Sequence, residues 1–314
     1  MFEQIYCGKA AGYNTMITTK SMNDIYQKQN KDQFIELFRA QGYIYDQAKN
    51  YANWIVVISI VVVFGLTILK FVFPDTEYIK TISILYGIFS TVICFLLEAK
   101  RKHRKNQAAI IQQLIDCDLF DISWWRNWGK KPALEVIQEA AKKEKADRYI
   151  NWYDSSIQNV SKQAATIICF RCNVMYDNKL RRGYIKFCHL AFWIIMIVLL
   201  GVCFYFNFTI LDIVTYGVAP SLPIIMMYVK TWVAESIDTK NLEQIRYDLE
   251  QMQERMIAGE VISSDENFII QDAIFAHRKN SFSIPSLYYK LHRKGNELDM
   301  HVFASRLAQE LTSR

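Results

Sequence analysis

The sequence predicts an all-α membrane protein, with four transmembrane helices in two hairpins and a helical cytoplasmic domain, on three observations. Four stretches nearly free of charge run from Tyr51 to Leu69, Thr81 to Leu97, Phe187 to Leu211 and Ile213 to Val229, with His189 the one ionisable group in the third. A helix needs about 20 apolar residues to cross a hydrocarbon core of roughly 30 Å, so each is close to spanning length. The stretches come as two tight pairs, and the segments outside them carry helical periodicity with weak strand signals.

Basic residues set the orientation. The loop Phe73-Pro74-Asp75-Thr76-Glu77 is short and acidic, and the turn from Asn207 to Asp212 has no base. Lys31, Arg39 and Lys49 precede the first stretch, Lys100, Arg101, Lys102, Arg104 and Lys105 follow the second, and Arg171, Lys179, Arg181, Arg182 and Lys186 precede the third. The positive-inside rule then places both termini and the middle segment in the cytoplasm. The expected organisation is 1–50 as an N-terminal extension and amphipathic helix, 51–97 as the first pair of spans, 98–186 as a cytoplasmic helical segment, 187–233 as the second pair and 234–314 as a cytoplasmic tail. Residues Met1 to Lys20 hold no continuous apolar run, so no secretory signal is expected there.

Each cytoplasmic element has its own signal. Phe34, Phe38, Gln41, Tyr45 and Ala48 recur every three to four residues behind Asn30, which stands where a cap would, and this helix is expected to run straight into the first span. Pro132 opens another, with Leu134, Ile137 and Ala141 on one face. Leu242, Ile245, Leu249, Met252 and Met256 mark two heptads ending at Gly259; they fit either a subunit contact or packing within the chain. Ser263 and Glu266 have capping-box spacing ahead of Ile270, Ile274 and Phe275.

Apolar residues make up 52% of the chain and charged ones 22%, with a net charge of +6. That balance suits a protein lying against an anionic leaflet or taking an anionic ligand. Seven cysteines, among them Cys94, Cys188 and Cys203 in or beside the spans, argue against a disulfide framework. Cys169 and Cys172 have CxxC spacing with no second ligand pair, and read as small packing residues.

Catalytic motifs are absent: no phosphate loop, no dinucleotide fingerprint, no HExxH and no GxSxG. None of the five histidines stands four residues from another. Asp116, Asp118 and Asp121 are read as helix-terminating residues, with a divalent-cation site as the sharper alternative. Binding features are stronger. Trp124, Trp125 and Trp128 lie beside Arg126, Lys130 and Lys131, and aromatic faces next to cations are what a nucleobase and its phosphate require. A headgroup-level loop is the other reading of that cluster. Arg171, Asn173, Asp177, Lys179, Arg181 and Arg182 form a second cluster; His277, Arg278 and Lys279 form a third. In the spans, Ser83, Gly87, Ser90 and Cys94 make a small-residue stripe suited to close helix packing or to lining a pore. The fourth span carries Thr215, Pro220, Ser221 and Pro223, which permit a kink.

Several of these segments together resemble one family. They are Ala40-Gln41-Gly42-Tyr43-Ile44-Tyr45-Asp46-Gln47-Ala48-Lys49, Asp116-Cys117-Asp118-Leu119-Phe120 with Gly129-Lys130-Lys131-Pro132, Arg171-x-Asn173 with Asp177-x-Lys179-Leu180-Arg181-Arg182, and Gln271-Asp272-x-Ile274-Phe275-x-His277-Arg278. In this order, over roughly Asn23 to Tyr289, the chain resembles the bacterial SMODS-associating four-transmembrane effectors of cyclic-oligonucleotide antiphage signalling. It departs from the pattern at Tyr176, where a tryptophan is usual, at Gly183 in place of a third base, and at Pro285, a proline that arrives late. The resemblance implies an effector and not an enzyme. A cyclic di- or oligonucleotide would act as the activating ligand, with no other cofactor, metal or DNA. The expected ligand contacts are Trp124, Lys130, Lys131, Arg171, Asn173, Asp177, Lys179, Arg181, Arg182, His277 and Arg278. It further implies a homo-oligomeric pore in the lipid bilayer of the bacterial inner membrane. The rival expectation is a non-conducting four-pass scaffold whose cytoplasmic helices recruit a protein partner. A membrane-bound hydrolase built on Asp116 and Asp118 is third.

Overall fold

A computed structural model describes residues 23–72, 77–144, 149–205, 207, 209–210, 213 and 219–312. Its described residues form eight α-helices and two short 3-10 turns, with no strand among them. In chain order these are α1 (Ile25–Gln29), α2 (Asp32–Val72), α3 (Glu77–Phe120), α4 (Leu134–Lys142), α5 (Lys162–Tyr205), α6 (Ala219–Ile257), α7 (Ser264–Asn280) and α8 (Ser286–Thr312).

Four of them are long because nothing in them stops a helix. The 41 residues of α2 and the 44 of α3 contain no proline, and α6 carries Pro220 and Pro223 only in its first turns, where a missing amide costs little. The apolar periodicity behind Lys31 continues unbroken into α2, and Phe34, Phe38, Ile44 and Ala48 are buried on its inner face. Asn30 does not cap it. Its side-chain oxygen accepts from the Asn151 amide at 2.8 Å and its amide group donates to Tyr26 O, so it ties α1 to the 149–153 loop instead. Downstream, α4 begins after Pro132 at Leu134 and buries Ile137, Ala140 and Ala141 against α2. The two heptads lie on α6, with Leu242, Ile245, Leu249 and Met252 buried in the chain's own core. Gly259 takes φ +88, a left-handed conformation that glycine adopts without strain, and ends the run. Ser263 and Glu266 close both arms of the expected capping box at the start of α7.

The long helices pack as two hairpin-like pairs, α2 with α3 and α5 with α6. α8 lies antiparallel on α5: Tyr184 and Phe187 meet Tyr288 near one end, and Arg171 stands over Phe303 near the other. Gly183 leaves room for this approach, since a Cβ there would sit 2.5 Å from the Tyr288 hydroxyl. α7 runs between α3 and α6. One core, anchored by Phe34, Ile111, Ile115, Phe170, Leu249 and Met300, fills the space between these helices.

Apolar side chains change sides along the bundle. From the core end to about residues 98, 186 and 235 they face inward. Beyond those points large apolar residues face outward, as with Phe95 at 73% exposed and Ile197 at 67%, along with Ile88, Phe89, Leu190 and Trp193. Trp54 and Trp232 stand exposed near the edge of this belt. Among the described residues, no helix is long and apolar enough to cross a membrane. Most of the first and fourth predicted spans and part of the second lie outside the described side chains. Ser83, Gly87, Thr215, Pro220, Ser221 and Pro223 likewise lie outside them; of the predicted packing or pore residues, Ser90 and Cys94 are half-buried on α3.

Candidate functional site

At the edge of the apolar belt, charged residues from several helices close on one another inside the bundle. Arg181 of α5, 6% exposed, is their centre. Its Nε donates to Asp177 at 3.0 Å, its Nη1 to Asp238 of α6 at 3.0 Å and to Phe282 O at 3.0 Å, and its Nη2 to Ser281 Oγ at 2.8 Å. Asp177 also meets His277 Nε2 of α7 at 2.8 Å. Burial alone would raise the Asp177 carboxyl, but Arg181 and His277 hold it well below the usual carboxylate range. Next to this set, Arg278 pairs with Asp116 of α3, whose carboxylate also accepts from Gln271 at 2.9 Å; Gln271 donates to Gln113 at 2.7 Å as well.

Lys105 of α3 is also 6% exposed, and its ammonium reaches Ser281 Oγ at 3.3 Å. Burial, and then the neighbouring Arg181 and Arg101, bring its pKa down to about 7, against partial compensation from Asp238 and Asp177. Below about pH 7 both folded and unfolded chains hold the proton, and the folded protein bears the full cost of a buried ammonium. Between there and the ordinary lysine range the unfolded chain binds more protons, so stability rises with pH. Melting of the detergent-solubilised protein is therefore expected to move to higher temperature from pH 6 to pH 9, and Lys105→Met to flatten that rise. Equal slopes for the two proteins would show that Lys105 does not set it.

Asp177 and Arg181 of the predicted ligand cluster on α5 are thus joined to His277 of the one on α7, while the other α5 members pair elsewhere. Arg171 pairs with Glu250 at 3.0 Å and with Gln253, Asn173 donates to Tyr153 at 2.9 Å, Lys179 meets Asp299, and Arg182 meets Glu243. Cys169 and Cys172 are buried on the same helix, and burial pushes the Cys172 thiol up to about 12, as suits inert packing residues. No group of three metal-ligating side chains occurs among the described residues, Asp116, Asp118 and Asp121 included.

The tryptophan loop stands apart. At about 1.5 Å per residue, the end of α3 lies about 35 Å along the helix from Leu97, so the loop after Phe120 is far from the belt. Trp128, 2% exposed, is the anchor: its Nε1 donates to Asp272 of α7 at 2.7 Å, and its ring stacks on Phe268 at 5.3 Å. Gly129 at φ +114 lets the chain turn back so that its carbonyl accepts from Trp124 Nε1. Lys131 lies 5.4 Å over the Trp124 ring, and Trp125 is 38% exposed. Arg126, Lys130 and Lys131 are exposed, with no carboxylate partner among the described residues.

Sequence reasoning missed Lys105, Asp238, Gln271, Ser281, Phe268 and the pairing of Trp128 with Asp272. One signal existed for Asp238. It lies four residues before Leu242, so continuing the heptad stripe backwards puts it, and Glu235 before it, on the buried face.

The described residues thus form an all-α bundle with an apolar belt, a buried ionic network at the belt's edge and an exposed cationic aromatic loop. The SMODS-associating 4TM effector domain matches residues 23–307, and the chain belongs to that family. Membership supports an effector role in antiphage defence and an association with the membrane. The chain is also 23% identical over 300 residues, 90% of its length and 98% of the relative's, to a probable CBASS effector molecule of Bacillus cereus strain VD146. No solved structure matches it.

Proposed function

We propose that this protein is an inner-membrane effector of antiphage defence that binds a cyclic di- or oligonucleotide on its cytoplasmic helical domain and, in response, breaches the bilayer as a homo-oligomeric pore. It acts by binding and not by turnover. The observation that carries the reading is the belt. Contiguous apolar surface of that extent is not tolerated on a monomer in water, and tryptophans at its edge suit a bilayer interface. The belt also sits on the same continuous helices as the ionic network, so a shift in the core would travel into the belt as rigid-body movement. A single narrow bundle offers no water path, which is why the pore needs several copies.

The ligand surface is the tryptophan loop. Most of the other predicted contacts are paired with the chain's own side chains, Lys179 and Arg182 at the surface, whereas Arg126, Lys130 and Lys131 are exposed without a carboxylate partner among the described residues and Trp125 is exposed beside them. Stacking on the indole and charge-assisted bonds from the cations fit a nucleobase and its phosphodiester.

Titration of the solubilised protein with cyclic di- and trinucleotides and linear controls tests this. One cyclic species is expected to bind at micromolar concentration or tighter. Lys130→Glu with Lys131→Glu is expected to weaken it by about 10- to 100-fold, the effect of losing contacts to a charged group, with unchanged melting. Dye release from liposomes should follow the same order. Binding to no cyclic species would move the weight to the non-conducting scaffold. One observation favours that second reading: Leu287, Leu291 and Leu298 stand 70%, 71% and 66% exposed on one face of α8.

A further inference from the structure

The connector between α7 and α8, residues 281–285, together with Ser286 at the start of α8, touches all four long helices where they enter the belt. Ser281 Oγ accepts from Arg181 of α5 and Lys105 of α3. The Phe282 carbonyl accepts from Arg181, and its amide donates to Asp238 of α6 at 2.9 Å. The Phe282 ring lies 5.2 Å beneath the Arg181 guanidinium and 5.7 Å from the Tyr184 ring. Ser283 Oγ accepts from Arg101 of α3 at 3.0 Å, and Ser286 Oγ from Asn53 of α2 at 3.0 Å. Ile284 is buried between these contacts. Ser281 and Ile284 are turned inward, and each of the three serines supplies a hydroxyl to a different donor.

We infer that residues 281–286 form a strap that fixes the spacing of the four long helices at the edge of the belt, and that α7 is the lever that moves it. Two features support a device over ordinary packing. The serine hydroxyls are neutral acceptors, for the cations Arg181, Lys105 and Arg101 and for the neutral Asn53 amide, so the strap is held by several separate hydrogen bonds, each exchangeable without stranding a carboxylate. Trp128 grips the first half and the middle of α7 through Phe268, Asp272 and Phe275. A displacement of the tryptophan loop therefore reaches the strap through one rigid helix of 17 residues. The inference that a nucleotide supplies that displacement rests on the function proposed above; the strap itself rests on the contacts.

Hydrogen–deuterium exchange on the full-length detergent-solubilised protein, with no nucleotide present, separates the two. Ser283→Ala with Ser286→Ala removes the outer contacts and leaves the buried Ser281 in place. Exchange is expected to quicken by about tenfold, the effect of losing a hydrogen bond to a charged or polar donor, in peptides covering 50–56 and 98–108, the two helices whose bonds to the strap are removed. Peptides covering 111–119 and 164–172 should keep their protection. The single Ser283→Ala should loosen 98–108 alone. Unchanged exchange at the helix ends, loosening confined to 281–286, or uniform loosening of the whole chain would each overturn the strap. A wild-type protein that binds no cyclic nucleotide while the double variant shows the expected pattern would retire the nucleotide and keep the strap.

Discussion

Arg181→Ala is expected to lower folding stability by about 3–5 kcal/mol, the usual cost of removing one partner from a buried ionic contact. For a protein domain with typical reserves of about 5–15 kcal/mol this is a large fraction of the whole, and it should show as a strongly depressed melting temperature in detergent. The cost comes from what is left behind. Asp238 would keep the Phe282 amide but lose its cation, Asp177 would keep only His277, and the Phe282 carbonyl would lose its donor. Arg181→Lys is expected to recover only part of the loss, because one ammonium cannot reproduce a planar guanidinium that serves four acceptors at once. Arg181→Met combined with Asp238→Asn should be milder than Arg181→Met alone. The second change removes the orphaned charge while keeping an acceptor for the Phe282 amide. A double variant whose loss equals the sum of the two single losses would show that the residues are not coupled.

Arg181 also shows where the sequence could be read and where it could not. Local signals were legible: the apolar stripe from Phe34 to Ala48, the capping box at Ser263 and Glu266, and the stop at Gly259 each depend on residues within a few positions of one another. The partner of an arginine is not a local property. Asp238 lies 57 residues from Arg181, and His277 is 100 residues from Asp177. Without tertiary placement, a basic run beside an apolar stretch looks the same whether it faces lipid, ligand or the protein's own carboxylates. The strap was invisible for a related reason. Ser281, Ser283 and Ser286 read as an ordinary polar turn, and their weight comes from the four helices that meet there. The tryptophan loop was legible in composition, but its division of labour was not, since burial alone distinguishes Trp128 from Trp125.

That division gives the second large effect. Trp128→Ala is expected to cost about 3–5 kcal/mol, the range for deleting a large buried aromatic side chain. It empties a site bounded by Trp124, Trp125, Phe268 and Phe275 and leaves the Asp272 carboxylate without its indole donor. Trp128→Phe retains a ring against Phe268 and loses the hydrogen bond, so about 1–3 kcal/mol is expected. Trp125→Ala should behave in the opposite way. With 38% of its surface exposed, Trp125 contributes little to folding, and its loss should leave melting nearly unchanged while weakening cyclic-nucleotide binding. Melting curves and nucleotide titrations on the three variants measure both properties. If Trp125→Ala destabilised the protein as much as Trp128→Ala, the loop would be core throughout and could not present a ligand surface. If Trp128→Phe kept its stability and its nucleotide affinity but lost dye release, the Trp128–Asp272 bond would be the point at which the loop acts on α7.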